Sequence, residues 1–263
     1  VSDIIQRGGT ILKTARCPEF TEKAGQDRAI EVLRKRGLEG IIVIGGDGSF
    51  MGAKILSERG IPTIGIPGTI DNDLTYTDFT LGFDTACNTA LDAINKLRDT
   101  MTSHERVSIV EVMGRHCGDI ALYACIAGGA EMILIPEKKF TVQGVCKKLI
   151  QSYRAGKKSG IIVLAEGAGH AEDLAKEISK CSEFVVKATV LGHIQRGGGP
   201  SMGDRILGTR CGVHAVELLK EGVGNRVVGI KNNKIIDMDI IKAVSIKRRF
   251  DQTLYNIAQI VSL

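Results

Sequence analysis

The chain has 263 residues, 43% hydrophobic and 25% charged, with 32 glycines, 4% aromatic residues and no tryptophan. This length holds one large or two modest domains, and a glycine-rich, aromatic-poor mixture suits an α/β enzyme with many tight strand-to-helix turns. The net charge of +5 comes from scattered Lys and Arg, with no basic run interleaved with aromatics. That argues against nucleic acid and for small anionic ligands such as phosphates.

Seven cysteines stand at 17, 87, 117, 125, 146, 181 and 211, an odd number without a CxxC pair. Neither a disulfide framework nor a zinc site is indicated. Cys87, Cys125 and Cys146 fall on apolar helix faces, which reads as buried reduced thiols in a cytoplasmic protein. No apolar run reaches membrane-spanning length, so no membrane association is expected, and no signal peptide is apparent.

In chain order, "VSDIIQRGG" opens as a helix with Ser2 as N-cap and Gly8 as stop. Apolar runs then recur at 40–44, 61–66, 107–112, 132–135, 160–165 and 185–191. Because they are continuous rather than alternating, they predict strands buried on both faces. Helices are predicted over 26–36, 49–59, 84–100 behind an Asp84 cap, 116–127, 141–155 and 203–220. Such alternation predicts parallel sheets with right-handed crossovers and ligands at the carboxyl ends of the strands. Domain boundaries are expected near 82 and 195. "KNNK" reads as a solvated turn and "KRRF" as a charged helix end.

The chemistry-bearing motifs fall at those strand ends. "IVIGGDGSFMGA" (42–53) is strand, glycine turn and helix, a form whose backbone N–H groups cradle an anion. Asp47 inside it would repel phosphate unless a divalent cation intervenes; the bland reading is a tight turn with Asp47 as a helix cap. "IPGTIDNDL" (66–74) supplies Asp71 and Asp73, which share a side if the segment is extended. One could hold Mg²⁺ while the other takes a proton; alone, the stretch would equally suit an Asx-turn. "EVMGRHCGD" (111–119) puts Arg115 at a turn suited to phosphate, "LAEGAG" (164–169) puts Glu166 where it can accept from sugar hydroxyls, and "VLGHIQRGGGP" (190–200) groups His193 with Arg196.

Together, "GGDGS", "PGTIDND", "EVMGRHCGD", "AEGA" and "LGHIQRGG" resemble, in order and spacing, the bacterial-type ATP-dependent 6-phosphofructokinases. The resemblance implies two parallel-sheet α/β domains, three-layer αβα, in a homotetramer. An ATP-binding domain would span 1–82 and 195–245, and a sugar-phosphate domain 83–194 and 246–263. It implies a glycolytic kinase passing the γ-phosphoryl of ATP to the 1-hydroxyl of fructose 6-phosphate, with ADP as product and Mg²⁺ as cofactor. Arg16, Cys17, Gly46, Asp47, Gly48, Ser49 and Gly52 match nucleotide positions, and Asp47 and Asp73 match the metal carboxylates. Asp71 matches the base, with Thr69 and Arg115 beside it in the chemistry. Thr69, Ile70, Asp71, Met113, Gly114, Arg115, Glu166, His193, Ile194, Gln195 and Arg196 match sugar-phosphate contacts. Arg106 and Lys187 match positions reaching the 6-phosphate from a neighbouring subunit. Ser2, Asp3, Arg98, Gly129, Ala130, Glu131, Lys157 and Lys158 match an allosteric nucleotide site.

Three departures qualify this. Lys187 replaces the family's usual Arg, exchanging a bidentate fork for a point charge. Ala155 stands where the effector site often has a basic residue, which weakens the expectation of allosteric control. The family's opening strand and nucleotide-contacting turn have no counterpart, so an N-terminal segment is expected to be missing and the chain as it stands not to be a competent kinase. Two rivals share the fold. A pyrophosphate-dependent enzyme would carry an acid at 48 and a Lys at 68, where this chain has Gly48 and Gly68. A non-catalytic regulatory paralogue would have lost Asp47, Asp71 or Arg115.

Overall fold

The computed structural model describes residues 3–104, 106–248 and 250–262. It divides into two compact units, Val1–Gly82 with Gly199–Arg249, and Phe83–Gly198 with Phe250–Leu263.

In the first unit, β1 (Ile41–Gly45), β2 (Thr63–Thr69), β8 (Arg226–Lys231) and β9 (Lys234–Asp239) form a sheet in that order, with the short β3 (Leu81–Gly82) beside β2. β1, β3 and β8 all run parallel to β2, while β9 folds back antiparallel on β8. Asn232 and Asn233, at φ 49° and 60°, make the hairpin turn, a conformation asparagine tolerates well. This is the "KNNK" stretch. Ile64 and Ile66 of β2 pack on α7 (Met202–Lys220) through Leu207, Cys211, Ala215 and Leu218. The opposite face is covered by α2 (Asp47–Glu58) and α8 (Ile240–Ser245), through Phe50, Ala53, Ile240 and Ala243. Gly65 is required there, since a Cβ on it would lie 2.8 Å from the Phe50 ring. A 3₁₀ turn (Pro18–Thr21) and α1 (Lys23–Lys35) complete the unit, Phe20 joining Ile30, Leu56 and Ile61 in a small core.

In the second unit the strands are β4 (Val107–Val112), β5 (Met132–Leu134), β6 (Gly160–Ala165) and β7 (Val186–Val190), ordered β5-β6-β4-β7 and all parallel. α5 (Val142–Arg154) and α6 (Ala171–Cys181) bury Val145, Leu149, Leu174 and Ile178 against Ile109, Ile162 and Leu164. α3 (Phe83–His104) and α4 (Asp119–Gly128) take the other face, with α9 (Gln252–Val261) packed on α4. α3 buries Phe83, Ala86, Ala90, Ile94 and Met101, the three-to-four spacing of one helical stripe. Each unit is thus helix, sheet, helix in layers.

Several expectations need correction. Residues 3–16 form turns and coil rather than a helix, and Ser2 lies outside the described residues. α3 starts at Phe83, which puts Asp84 in the first turn instead of the cap position. The "KRRF" run follows the end of α8 as coil in its described residues. Cys146 is not a free thiol: it is bonded to Cys181, with Cα atoms 6.8 Å apart. The pairing arises because α5 and α6 lie side by side, a proximity that a separation of 35 residues hides from the sequence. Cys87 and Cys125 are not disulfide-bonded; they are half-buried and buried respectively. No helix among the described residues is long and apolar enough to cross a membrane.

Candidate active site

In the first unit, β1 ends at Gly45 and α2 begins at Asp47, leaving Gly46 alone as the connection. Close packing explains the glycines. A Cβ on Gly45 would collide with Ser49, and one on Gly46 would stand 3.3 Å from the Thr69 side chain. A Cβ on Gly68 would lie 2.9 Å from Ile44, whereas Gly48 faces open space. Asp47, Gly48 and Ser49 are all exposed at the helix start, where free N–H groups and the helix dipole favour an anion. Phe20 packs beside Gly52, and Arg16 and Cys17 stand exposed in the segment just before it.

The neighbouring strand β2 carries Thr69, Ile70 and Asp71 out of its carboxyl end. Asp71 is only 1% exposed, and its N–H donates to Thr69 Oγ1 at 3.2 Å. Thr80 Oγ1 donates to the Thr69 carbonyl at 2.6 Å, fixing that residue from the β3 side. Asn72 sits at φ 52°, so the run is bent and the alternation expected to align Asp71 with Asp73 does not apply. Asp73 is half-buried, and its Oδ1 is sequestered without a hydrogen-bond partner among the described residues.

The segment after Asp73 is fastened to β8, a feature the motifs do not announce. Tyr76 Oη donates to the Val228 carbonyl at 2.9 Å, and Thr77 Oγ1 accepts from Ile230 N at 2.9 Å. Asp78 N donates to the Ile230 carbonyl at 2.8 Å, and its carboxylate accepts from Asn232 N at 2.7 Å. Burial keeps the Tyr76 phenol well above its usual pKa, so it remains a donor at any physiological pH.

In the second unit the carboxyl ends of β4, β6 and β7 lie side by side. The ladder continues one step past the strands: Glu166 N donates to the Val112 carbonyl at 2.9 Å, and Leu191 N to the Glu111 carbonyl at 3.0 Å. Met113, Gly114 and Arg115 then turn sharply, with Gly114 at φ 137° and Arg115 at φ 53°. Side chains from three strand ends hold this turn. Glu166 Oε1 accepts from Gly114 N at 3.2 Å and Arg115 N at 2.8 Å. Gln195 Oε1 accepts from Met113 N at 2.8 Å, and Glu137 Oε1 from Gly118 N at 2.9 Å. A Cβ on Gly167 would strike the Arg115 carbonyl. Arg115 itself is exposed, as are His193, Ile194 and Arg196 on the 3₁₀ turn Gly192–Arg196; Met113 and Gln195 are buried.

Arg106 and Lys187 are not brought to this group. Arg106 precedes β4 and Lys187 pairs with Ser108, at the amino-terminal ends of their strands. At about 3.3 Å per residue, six-residue β4 separates Arg106 from the Met113 turn by roughly 20 Å. A separate group gathers where α4 ends at Gly129, which has φ 60°. Arg98 donates to the carbonyls of Gly128 and Gly129 at 2.6 and 2.8 Å and lies 3.6 Å from Glu131, whose other oxygen accepts from Ile161 N. Ala130 is buried beside them, and Lys157 and Lys158 line a small cavity with Glu131 and Ser152. Asp3, exposed, belongs to the first unit.

Comparison with known proteins bears on what such a pair of sites serves. Residues 1–219 match the family model described as Phosphofructokinase. Over 262 residues the chain is 60% identical to the ATP-dependent 6-phosphofructokinase of Clostridium botulinum (strain Hall), covering 100% of this chain and 82% of that protein. The same-named protein of Clostridium tetani is 62% identical with the same coverage. The solved phosphofructokinase of Saccharomyces cerevisiae is similar with a TM-score of 0.83 and 31% identity, covering 98% of this chain and 38% of that one, so the chain spans well under half of that longer polypeptide. With matches that run through both units and at this level of identity, the chain belongs to the phosphofructokinase family.

Proposed function

We propose that these residues carry the γ-phosphoryl group of ATP to the 1-hydroxyl of D-fructose 6-phosphate, giving fructose 1,6-bisphosphate and ADP. The chain is a phosphotransferase of glycolysis, acting as ATP-dependent 6-phosphofructokinases do. The observation that carries the site assignment is the close approach of the glycine turn to Thr69, where a Cβ on Gly46 would stand 3.3 Å from the Thr69 side chain, two residues before the buried Asp71. A phosphate cradled at the start of α2 then lies beside the base.

The first unit binds nucleotide. Gly46 to Ser49 present backbone N–H groups to the phosphates, Gly52, Arg16 and Cys17 flank them, and open space at Gly48 leaves a path for a nucleoside triphosphate. Asp71 accepts the proton of the sugar hydroxyl as it attacks; Thr69 and Ile70 hold the loop carrying it. Asp47 and Asp73 would hold Mg²⁺: both offer hard carboxylate oxygens, and the orphaned Oδ1 of Asp73 suits a cation better than an empty interior. When bound, the metal neutralises charge on the transferring phosphates.

The second unit binds the sugar phosphate. Glu166 uses its remaining oxygen for a sugar hydroxyl, Met113 and Gly114 shape the turn, and Arg115, His193 and Arg196 meet phosphate charge. Arg115 offsets the negative charge that gathers on the phosphoryl oxygens during transfer. Arg106 and Lys187, remote from these within one chain, serve the 6-phosphate of a neighbouring copy in a homotetramer. Arg98, Gly129, Ala130, Glu131, Lys157 and Lys158 gather as a nucleotide effector site of the second unit, whose control of activity the exchange at Ala155 weakens. The protein is read as cytoplasmic, without nucleic-acid or membrane partners.

The test is Asp71→Asn in the full-length enzyme. Asn keeps the shape but cannot take the proton, so calorimetry should show both substrates bound while kcat falls by about 10²–10⁴-fold. Turnover near the wild-type rate would remove Asp71 from the chemistry.

A further inference from the structure

We propose that Gln195, although it stands within the His193–Arg196 group, is a positioning residue and not a substrate contact. Resting on the reading above, this assigns it the task of locking the Met113–Arg115 turn to the turn that presents His193 and Arg196.

The 3₁₀ turn at 192–196 sorts its side chains: His193, Ile194 and Arg196 are exposed, whereas Gln195 is 1% exposed. A ligand in solvent cannot reach an atom so enclosed. What Gln195 does reach is the backbone. In a parallel ladder, alternate residues direct their amides to the same neighbour. Glu111 bonds toward β7 through Leu191, so Met113, two residues on, also directs its N–H to that side. β7 has ended by then, and Gly192, at φ 51°, turns the chain away. The Met113 N–H would be left buried and unpaired, a costly state. Gln195 Oε1 lies 2.8 Å from it and replaces the absent strand carbonyl. The amide orientation follows from this contact, because only the oxygen can face a donor. Nε2 has no hydrogen-bond partner among the described residues, so the anchored end of the side chain is the oxygen on Met113.

The consequence is a coupling: Arg115 follows Met113 by two residues, and Arg196 adjoins Gln195. One hydrogen bond sets the spacing of the two cation-bearing turns. Positioning errors near 1 Å can cost about 10²-fold in rate, so its loss should be visible in kinetics.

The experiment has two readouts in the full-length enzyme. Hydrogen exchange of the wild-type Met113 amide should be slow, like that of ladder amides in β4; exchange at the rate of an exposed loop amide overturns the proposal without any variant or substrate. Next, Gln195→Met removes the acceptor at similar volume, and Gln195→Glu retains an acceptor oxygen. Gln195→Met should unprotect the Met113 amide and raise the fructose 6-phosphate KM about tenfold or more, leaving the ATP KM unchanged; Gln195→Glu should recover most of both. Equal losses for both substrates, equal defects in the two variants, or an unchanged sugar-phosphate KM would overturn it. If wild-type enzyme does not phosphorylate fructose 6-phosphate at all, the functional reading fails, while the exchange result still decides the role of Gln195.

Discussion

The carboxylate of Glu166 accepts the backbone N–H of Arg115 at 2.8 Å, so one acid fixes the backbone of an exposed cation. Arg115 holds φ 53°, a left-handed conformation that costs a non-glycine residue roughly 1–2 kcal/mol. Two N–H groups on one oxygen offset that cost. Glu166→Ala should therefore lower kcat/KM about 10²-fold, more than a lost sugar hydroxyl contact alone. Glu166→Gln keeps an acceptor and should lose only about tenfold. Steady-state kinetics that place both variants together would assign the whole effect to the sugar.

Donor choice can be probed at two glycines that differ in surroundings. Gly48→Asp enters open space, so the melting temperature should hold while the ATP KM rises at least about tenfold from charge repulsion and the fructose 6-phosphate KM does not. Gly68→Lys must push Ile44 aside from 2.9 Å and should cost about 1–3 kcal/mol of stability. Unchanged ATP kinetics in Gly48→Asp would take the α2 start out of the nucleotide site.

Lys187 is exposed on the edge strand β7. Replacing it by Arg restores a planar fork for phosphate and should tighten fructose 6-phosphate by about 1 kcal/mol, close to fivefold in KM. A change confined to the ATP KM would mean that Lys187 serves another site.

Burial pushes the thiols of Cys125 and Cys211 up to about 11 from an ordinary 9.0. Both titrate higher when folded, so their contribution to stability is complete below pH 9 and is lost as the pH rises toward 11. The loss is on the order of 2 kcal/mol per thiol at the upper end. Melting temperature should fall steeply over that range. Cys211→Ala should flatten the fall, and an identical slope in that variant would assign it to other groups.

The strands over 107–112 and 160–165 were legible to the residue, because a strand covered on both faces is apolar without interruption. α6 was legible but missed. Ala171, Leu174, Ala175 and Ile178 keep helical spacing behind two acids in the first turn. The glycine turn and the strand-end motifs stood out for chemical reasons that hold locally. The bend at Asn72 did not, since either hand of backbone suits an Asn in a loop. Nor did the clasps on the Met113 turn: Gln195 is 82 residues from its partner, and no spacing rule spans such a distance.

The attachment of Thr77 to Ile230 has a temporal side. The two residues are 153 positions apart, and most of the second unit is encoded between them. A ribosome adding about 5–20 residues per second needs roughly 8–30 s to cross that interval, far longer than a small domain takes to fold. During that time Asp71 has left the tunnel, but the strand that anchors its loop does not yet exist. Unit 2 can build most of its sheet first, and the loop that carries Asp71 is fastened only after that. A nascent chain stalled before residue 226 therefore carries the strand-end turns of unit 2 largely formed and Asp71 still adrift.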